Sequence, residues 1–147
     1  MTHVRQQIRE RVGTVVTGLS TTGSNVFQSR VYPLQDSNLP ALLVYSTTED
    51  SEADVIGTAL STNRIVNIVI EGYVKATTDF DDTVDTICEE VETALANDRT
   101  LNGLAKFSQL TGTEINYNGE GETPVGVVTL TYQVQYRTAT NAPNVAL

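Results

Sequence analysis

This sequence is poor in the residues from which most catalytic and nucleic-acid-binding sites are built. In 147 positions it has one histidine, one cysteine and nine lysines and arginines. A metal site with several histidines is excluded. His3, at the fraying start of a predicted helix, is badly placed for a triad or for general-base work. With Cys88 alone there is no internal disulfide and no cysteine-based zinc site, and its place on the apolar side of a predicted helix marks an inert buried thiol. Long apolar runs are missing too: none approaches the ~20 residues a membrane-spanning helix needs. The opening MTHVRQQIRERV lacks the apolar core of a signal peptide, so synthesis in the cytoplasm is expected.

Positive charge is the other scarcity. Eighteen acids against nine bases give a formal net charge of −9 and a pI near 4.4. A protein that reads DNA needs a clustered basic surface, and the only local concentration here, Arg5, Arg9 and Arg11, is interleaved with Glu10 on a helix. That trio reads as a solvated face.

What is present is periodicity. Val4, Ile8, Val12, Val15, Val16 and Leu19 fall three and four apart and predict an amphipathic helix over residues 3–19, fraying near Gly18. Val26 to Leu34 favours a strand that Pro33 ends or confines to a sheet edge. Asp36, Ser37 and Asn38 are turn formers, and Pro40 leads into a second strand from Ala41 to Thr47, so RVYPLQDSNLPALLVY reads locally as a hairpin. Residues 48–63 are acidic and without a clean period. They are expected as a long excursion before the strongly apolar strand Arg64 to Ala76.

A second helix follows, with Thr78 or Asp79 as N-cap, Asp81 and Asp82 in its first turn, and Phe80, Val84, Ile87, Cys88, Val91 and Leu95 as its buried stripe. Two further strands, KFSQLTGTEINYN and TPVGVVTLTYQVQYRT, are joined by a turn holding Gly119 and Gly121. In the second of them Leu130, Tyr132, Val134 and Tyr136 alternate with polar residues. The order α-β-β-β-α-β-β predicts an α+β fold: a single largely antiparallel or mixed sheet with both helices on one face. Residues 1–138 are expected as one domain and 139–147 as a flexible tail.

No motif of established chemistry survives scrutiny. Gly18 and Gly23 have phosphate-loop spacing, but Ser24 and Asn25 stand where Lys and Ser/Thr are needed, and the loop follows a helix. DFDD opens like a calcium loop without the glycine or spaced ligands that would follow, and NGEGETPVG is a turn. Asp82, Asp85, Glu89 and Glu92 share the exposed side of the second helix, as a solvated face or as a surface for a basic partner. The acidic excursion is the better candidate. Glu49, Asp50, Glu52 and Asp54 precede Val55, Ile56, Ala59 and Leu60, which reads as an interface loop, a disordered segment or an extended hairpin. No catalytic residue, cofactor or metal is expected.

Taken in order, these elements resemble the tail terminator, or U-type minor tail, proteins of long-tailed bacteriophages. The resemblance rests on the leading helix and the Leu39-Pro40-Ala41-Leu42 entry to an apolar strand ending at Tyr45. It rests also on the acidic Ser/Thr-rich excursion and the closing LTYQVQY, Leu130 to Tyr136. It implies a non-enzymatic virion protein, assembled in the host cytoplasm and placed at the head-proximal end of the tail. There a homo-hexameric ring would cap the tail tube, end its polymerisation and meet a head-completion or connector protein. DNA would pass through such a ring without specific binding, and an acidic lumen would keep phosphates off its wall. Glu49, Asp50, Glu52, Asp54, Glu120 and Glu122 are candidates for that wall because they lie in predicted loops. The rival readings are another neck component, such as a tail completion or head-closure protein, and a small-molecule-binding domain.

Overall fold

Two helices with one apolar stripe each need a common surface to lie on, and a strongly β-branched sheet provides it. The computed structural model describes residues 2–28, 39–53, 61–75, 78–118 and 125–147. Among them the chain runs α1 (Val4–Val15), β1 (Val26–Phe27), β2 (Ala41–Ala53), β3 (Ser61–Lys75), α2 (Phe80–Ala96), β4 (Phe107–Asn118), β5 (Val125–Ala139) and β6 (Ala142–Ala146). The strands form one mixed sheet in the order β1-β2-β3-β5-β4, with β6 also paired to β5. Every pairing is antiparallel except β1 with β2. This is the expected α+β class. Among the described residues no helix is long and apolar enough to cross a membrane.

The periodic elements fold as their spacing dictates. Val4, Ile8, Val12 and Val16 of the first helical segment and the six-residue stripe of α2 are all buried. They share one core with Leu42, Val44, Val66, Ile68, Ile70, Val128, Leu130, Val134 and Tyr136 of the sheet, which places both helices on the same face. Burying each such side chain contributes roughly 1.5–3 kcal/mol. That far exceeds the few tenths lost to each acid–acid repulsion along the outer side of α2. Asp79 is the α2 N-cap residue without a side-chain capping bond, so Asp81 and Asp82 answer the helix dipole instead. In β5 every second residue from Gly126 to Thr138 is buried. Gly126 is required there: a Cβ would stand 1.8 Å from Cε2 of Phe80, whose ring covers that backbone and meets Tyr117 edge-on at 5.8 Å.

Three expectations change. First, the strand expected from Val26 runs parallel to β2 where it is described: Val26 and Phe27 align with Leu42 and Leu43. The predicted turn residues 36–38 and Pro33 lie outside the described residues.

Second, the acidic excursion is mostly strand. β2 continues to Ala53 and β3 already begins at Ser61, leaving 54–60 between them. The polar residues Glu49 to Ala53 pair with Thr62 to Val66, which are themselves held by β5. Ladder hydrogen bonds to a well-paired partner outweigh the weak strand preference of Asp, Glu and Ser. Third, where a tail is expected, Ala142–Ala146 is a short strand whose Leu147 N–H donates to Arg137 O at 2.9 Å.

β2 also carries a bulge. Ser46 is opposite Ile68 and Glu49 opposite Val66, so Thr47 and Thr48 together face Asn67, which donates from Nδ2 to Thr48 Oγ1 at 2.8 Å. Side chains alternate strictly along a strand, so one extra residue turns over everything after it. Before the bulge Leu42 and Val44 point at the helices. Beyond it Glu49 does, while Asp50 and Glu52 share the opposite face with Ile65 and Asn63.

Candidate functional site

Three places concentrate the charged and reactive groups. The first is built around Glu49, which the bulge aims beneath the start of α1. Its carboxylate accepts from Arg5 Nη1 at 2.8 Å and Arg64 Nη1 at 3.2 Å, and from the hydroxyl of Tyr136. The side chain is only 10% exposed. Arg64 in turn donates from Nε to Thr138 Oγ1 at 3.2 Å, and both Tyr136 and Thr138 are fully buried. One carboxylate therefore ties α1, β2, β3 and β5 together.

Burial and the Glu49 hydrogen bond both push the Tyr136 phenol far above its ordinary pKa, so it stays a donor at any physiological pH. His3 closes the same corner as the N-cap of α1, its Nδ1 accepting from Arg5 N at 3.0 Å. Its pKa is lowered, first by burial and then by Arg5 and Arg64, against an opposing pull from Glu49. The expectation that His3 lies in a frayed helix start is thus revised: an imidazole acceptor caps that start.

The second place lies on the opposite face of the sheet. Glu71 accepts from Tyr73 Oη at 2.6 Å and from the hydroxyl of Tyr45. Burial, followed by the bond to Glu71, raises the Tyr73 pKa well above its usual value. Among the described residues no arginine or lysine pairs with Glu71. Tyr136 in the first centre and Tyr73 in the second are thus held in the protonated form. Burial likewise raises the pKa of the Cys88 thiol. Among the described residues no group of three or more His, Cys, Asp or Glu is arranged to hold a metal.

The third place is the pair of sheet edges. Beyond the two residues that β1 covers, no described strand pairs the outer side of β2 from Val44 to Ala53, and none pairs the outer side of β4. β4 carries a bulge between Leu110 and Gly112, after which Ile115 and Tyr117 face the helix side of the sheet. They extend past the cover that α2 provides, and stand 48% and 61% exposed; Phe107 at the other end of β4 is 41% exposed. Long edges with exposed apolar residues are templates for another chain.

The candidate residues thus separate. Glu49 is spent inside the fold and sits on a strand, which removes it from the set of free loop acids. Asp50 and Glu52 are exposed on β2, again on a strand rather than a loop, and neither is in an ion pair among the described residues. Asp54, Val55, Ile56, Glu120 and Glu122 lie outside the described residues. The Glu49 centre was not visible in the sequence. Its partners are 44, 15 and 87 positions away, and its facing depends on a bulge without a glycine signature.

In comparison with known proteins, the sequence profile of the family described as phage minor tail protein U aligns with residues 3–136. A search of curated proteins found no match. Among solved structures, a chain from one described as "Virion of native gene transfer agent (GTA) particle" is similar at 15% identity. The TM-score is 0.49, and the likeness covers 92% of each chain.

Proposed function

The chain belongs to the phage minor tail protein U family, and from that premise we propose that it is the subunit of a ring that terminates the tail tube. Membership makes it a structural protein of a phage tail. In the proposed role six copies close around the tube's last layer, stop further addition of tube subunits, and offer their other side to a head-completion or connector protein. The work is done by surface complementarity, without a catalytic step or cofactor. DNA passes through the ring without specific binding. One folded unit carries the role, with β6 (Ala142–Ala146) paired into its sheet.

The observation that carries this reading is the family match across residues 3–136, which takes in both helices and strands β1 to β4 whole, and β5 as far as Tyr136. The geometry is in keeping with it. Heterologous contacts close into a ring when the rotation per subunit divides a full turn, and the two edges of the sheet, β2 and β4 among the described residues, offer a different surface to each neighbour. A ring of six would carry six times the −9 of one chain. Asp50 and Glu52 are the described acids proposed for a DNA-repelling wall, whereas Glu49 has no charge to spare for it.

Native mass spectrometry and negative-stain microscopy test the ring: closed assemblies of six with a central hole are expected. If the isolated protein is monomeric, preformed tail tubes are added, and it is expected to bind tube ends and halt their growth. Uncapped tubes that continue to elongate would overturn the proposal.

A further inference from the structure

A cavity between the C-terminal half of α2 and the start of β4 belongs to neither the Glu49 nor the Glu71 centre. It encloses about 260 Å³. That is below the roughly 300–1,000 Å³ of small-molecule pockets and in keeping with a single long side chain. Leu95 and Ala96 of α2, Leu110 of β4 and Tyr132 of β5 give it apolar surface, and Glu92 puts a carboxylate on it. We propose that this cavity receives a lysine or arginine side chain of a partner protein, its stem along the apolar wall and its charged head between Glu92 and the Tyr132 hydroxyl. The inference concerns this cavity alone and stands or falls apart from the ring.

The first observation behind it is the hydroxyl of Tyr132. Tyr136, four residues along the same strand and on the same face, donates to Glu49. Tyr132 is only 6% exposed, yet its hydroxyl has no hydrogen-bond partner among the described residues. Buried polar groups in folded proteins are nearly always paired, so this one calls for a partner from outside. Its oxygen is not sealed from solvent, and the cavity that Tyr132 lines leads to it. Burial first, then the charge of Glu92 and then Cys88, raises the phenol's pKa far above its usual value. The group is therefore neutral beside a carboxylate, with oxygen lone pairs free to accept from an N–H donor.

The second observation is charge. Glu92 is half-buried and has neither an ion pair nor a hydrogen bond among the described residues. It ends the stripe Asp82, Asp85, Glu89, Glu92, whose other three members are exposed and likewise in no ion pair among those residues. A run of one sign leading into a half-closed site gathers and steers the opposite charge. Arg99 also lines the cavity, but it is exposed at the rim and turns Nη2 to Gln109 Oε1 at 3.4 Å, so Glu92 stays unneutralised. Lysine and arginine match both halves of the site, because each carries a charged tip on an apolar stem.

Ligand-observed NMR on the full chain tests this, with the capped tripeptides acetyl-Gly-Lys-Gly-amide and acetyl-Gly-Arg-Gly-amide as probes. Counterparts carrying citrulline or glutamate are the controls. Saturation is expected to pass to the lysine and arginine side chains and not to the controls. Glu92→Gln should weaken that binding about tenfold and Tyr132→Phe about threefold. Because its hydroxyl has no partner inside the fold, Tyr132→Phe should not lower the urea midpoint of the free protein. Equal binding of the citrulline peptide would overturn the proposal, as would binding that both variants leave unchanged, or none at all. Binding of the glutamate peptide that is lost in Arg99→Ala would overturn it in favour of an acidic partner. A midpoint lowered by Tyr132→Phe would reveal an internal partner for the hydroxyl and overturn it too. Rings that form or fail to form bear only on the ring reading.

Discussion

Two glutamates on opposite faces of the same sheet receive tyrosine hydroxyls, yet their surroundings differ in what they neutralise. Glu49, beneath α1, has Arg5 and Arg64 as well as Tyr136, and its side chain is nearly closed to water. Glu71, on the other face, has Tyr45 and Tyr73 but no cation among the described residues, and both phenols are half-buried. A carboxylate buried among helix and sheet must be matched by opposite charge, because desolvation costs several kcal/mol per ion. One on the more open face keeps enough water to be satisfied by neutral donors. The first centre therefore holds elements together, and the second trims one face.

That contrast is broken most severely by removing the matched charge. Glu49→Ala leaves Arg64 and Tyr136 without their acceptor, and a loss of about 3–5 kcal/mol in the free energy of urea unfolding is expected. Tyr136→Phe removes only one donor to a charged group, so about 2 kcal/mol should be lost, with the fold intact by circular dichroism. Glu71→Gln keeps an acceptor for one tyrosine and should cost about 1 kcal/mol in the same measurement. An equal loss at Glu49 and Glu71 would erase the distinction. His3→Ala should cost about 0.5–1 kcal/mol through the lost cap.

His3 adds a dependence on pH. Its folded pKa lies below the ordinary 6.5, so the unfolded chain binds the proton more readily. The contribution is then complete above pH 6.5 and is lost as pH falls towards the folded value. Comparing unfolding midpoints of wild type and His3→Asn from pH 7.5 to 5 should show a steeper fall for wild type. Asp50→Asn, at an exposed unpaired acid, should leave monomer stability unchanged within 0.5 kcal/mol, in line with ordinary surface sites.

Much of this fold was legible because it is written in repeats. The stripe Phe80, Val84, Ile87, Cys88, Val91, Leu95 and the alternation Leu130 to Tyr136 each report one face of one element, and both are buried as spaced. The parallel placement of β1 was not legible, since Asp36 to Asn38 carry a local turn signal and the pairing of Val26 with Leu42 is decided by the rest of the sheet. Glu49 looked like its neighbours Asp50 and Glu52 because composition does not record facing. The Arg5 and Arg64 that claim it come from separate elements brought together only by folding.

The bulge at Thr47 and Thr48 has a consequence for how this gene tolerates change. Both threonines are exposed, so the identity of either is nearly free. Their number is nearly free as well: losing one leaves a single residue opposite Asn67 and a regular ladder, with Glu49 still opposite Val66 on the face of the helices. The segment is thus open both to substitution and to the loss of one residue, and variation in it should change letters and length while keeping the glutamate that follows.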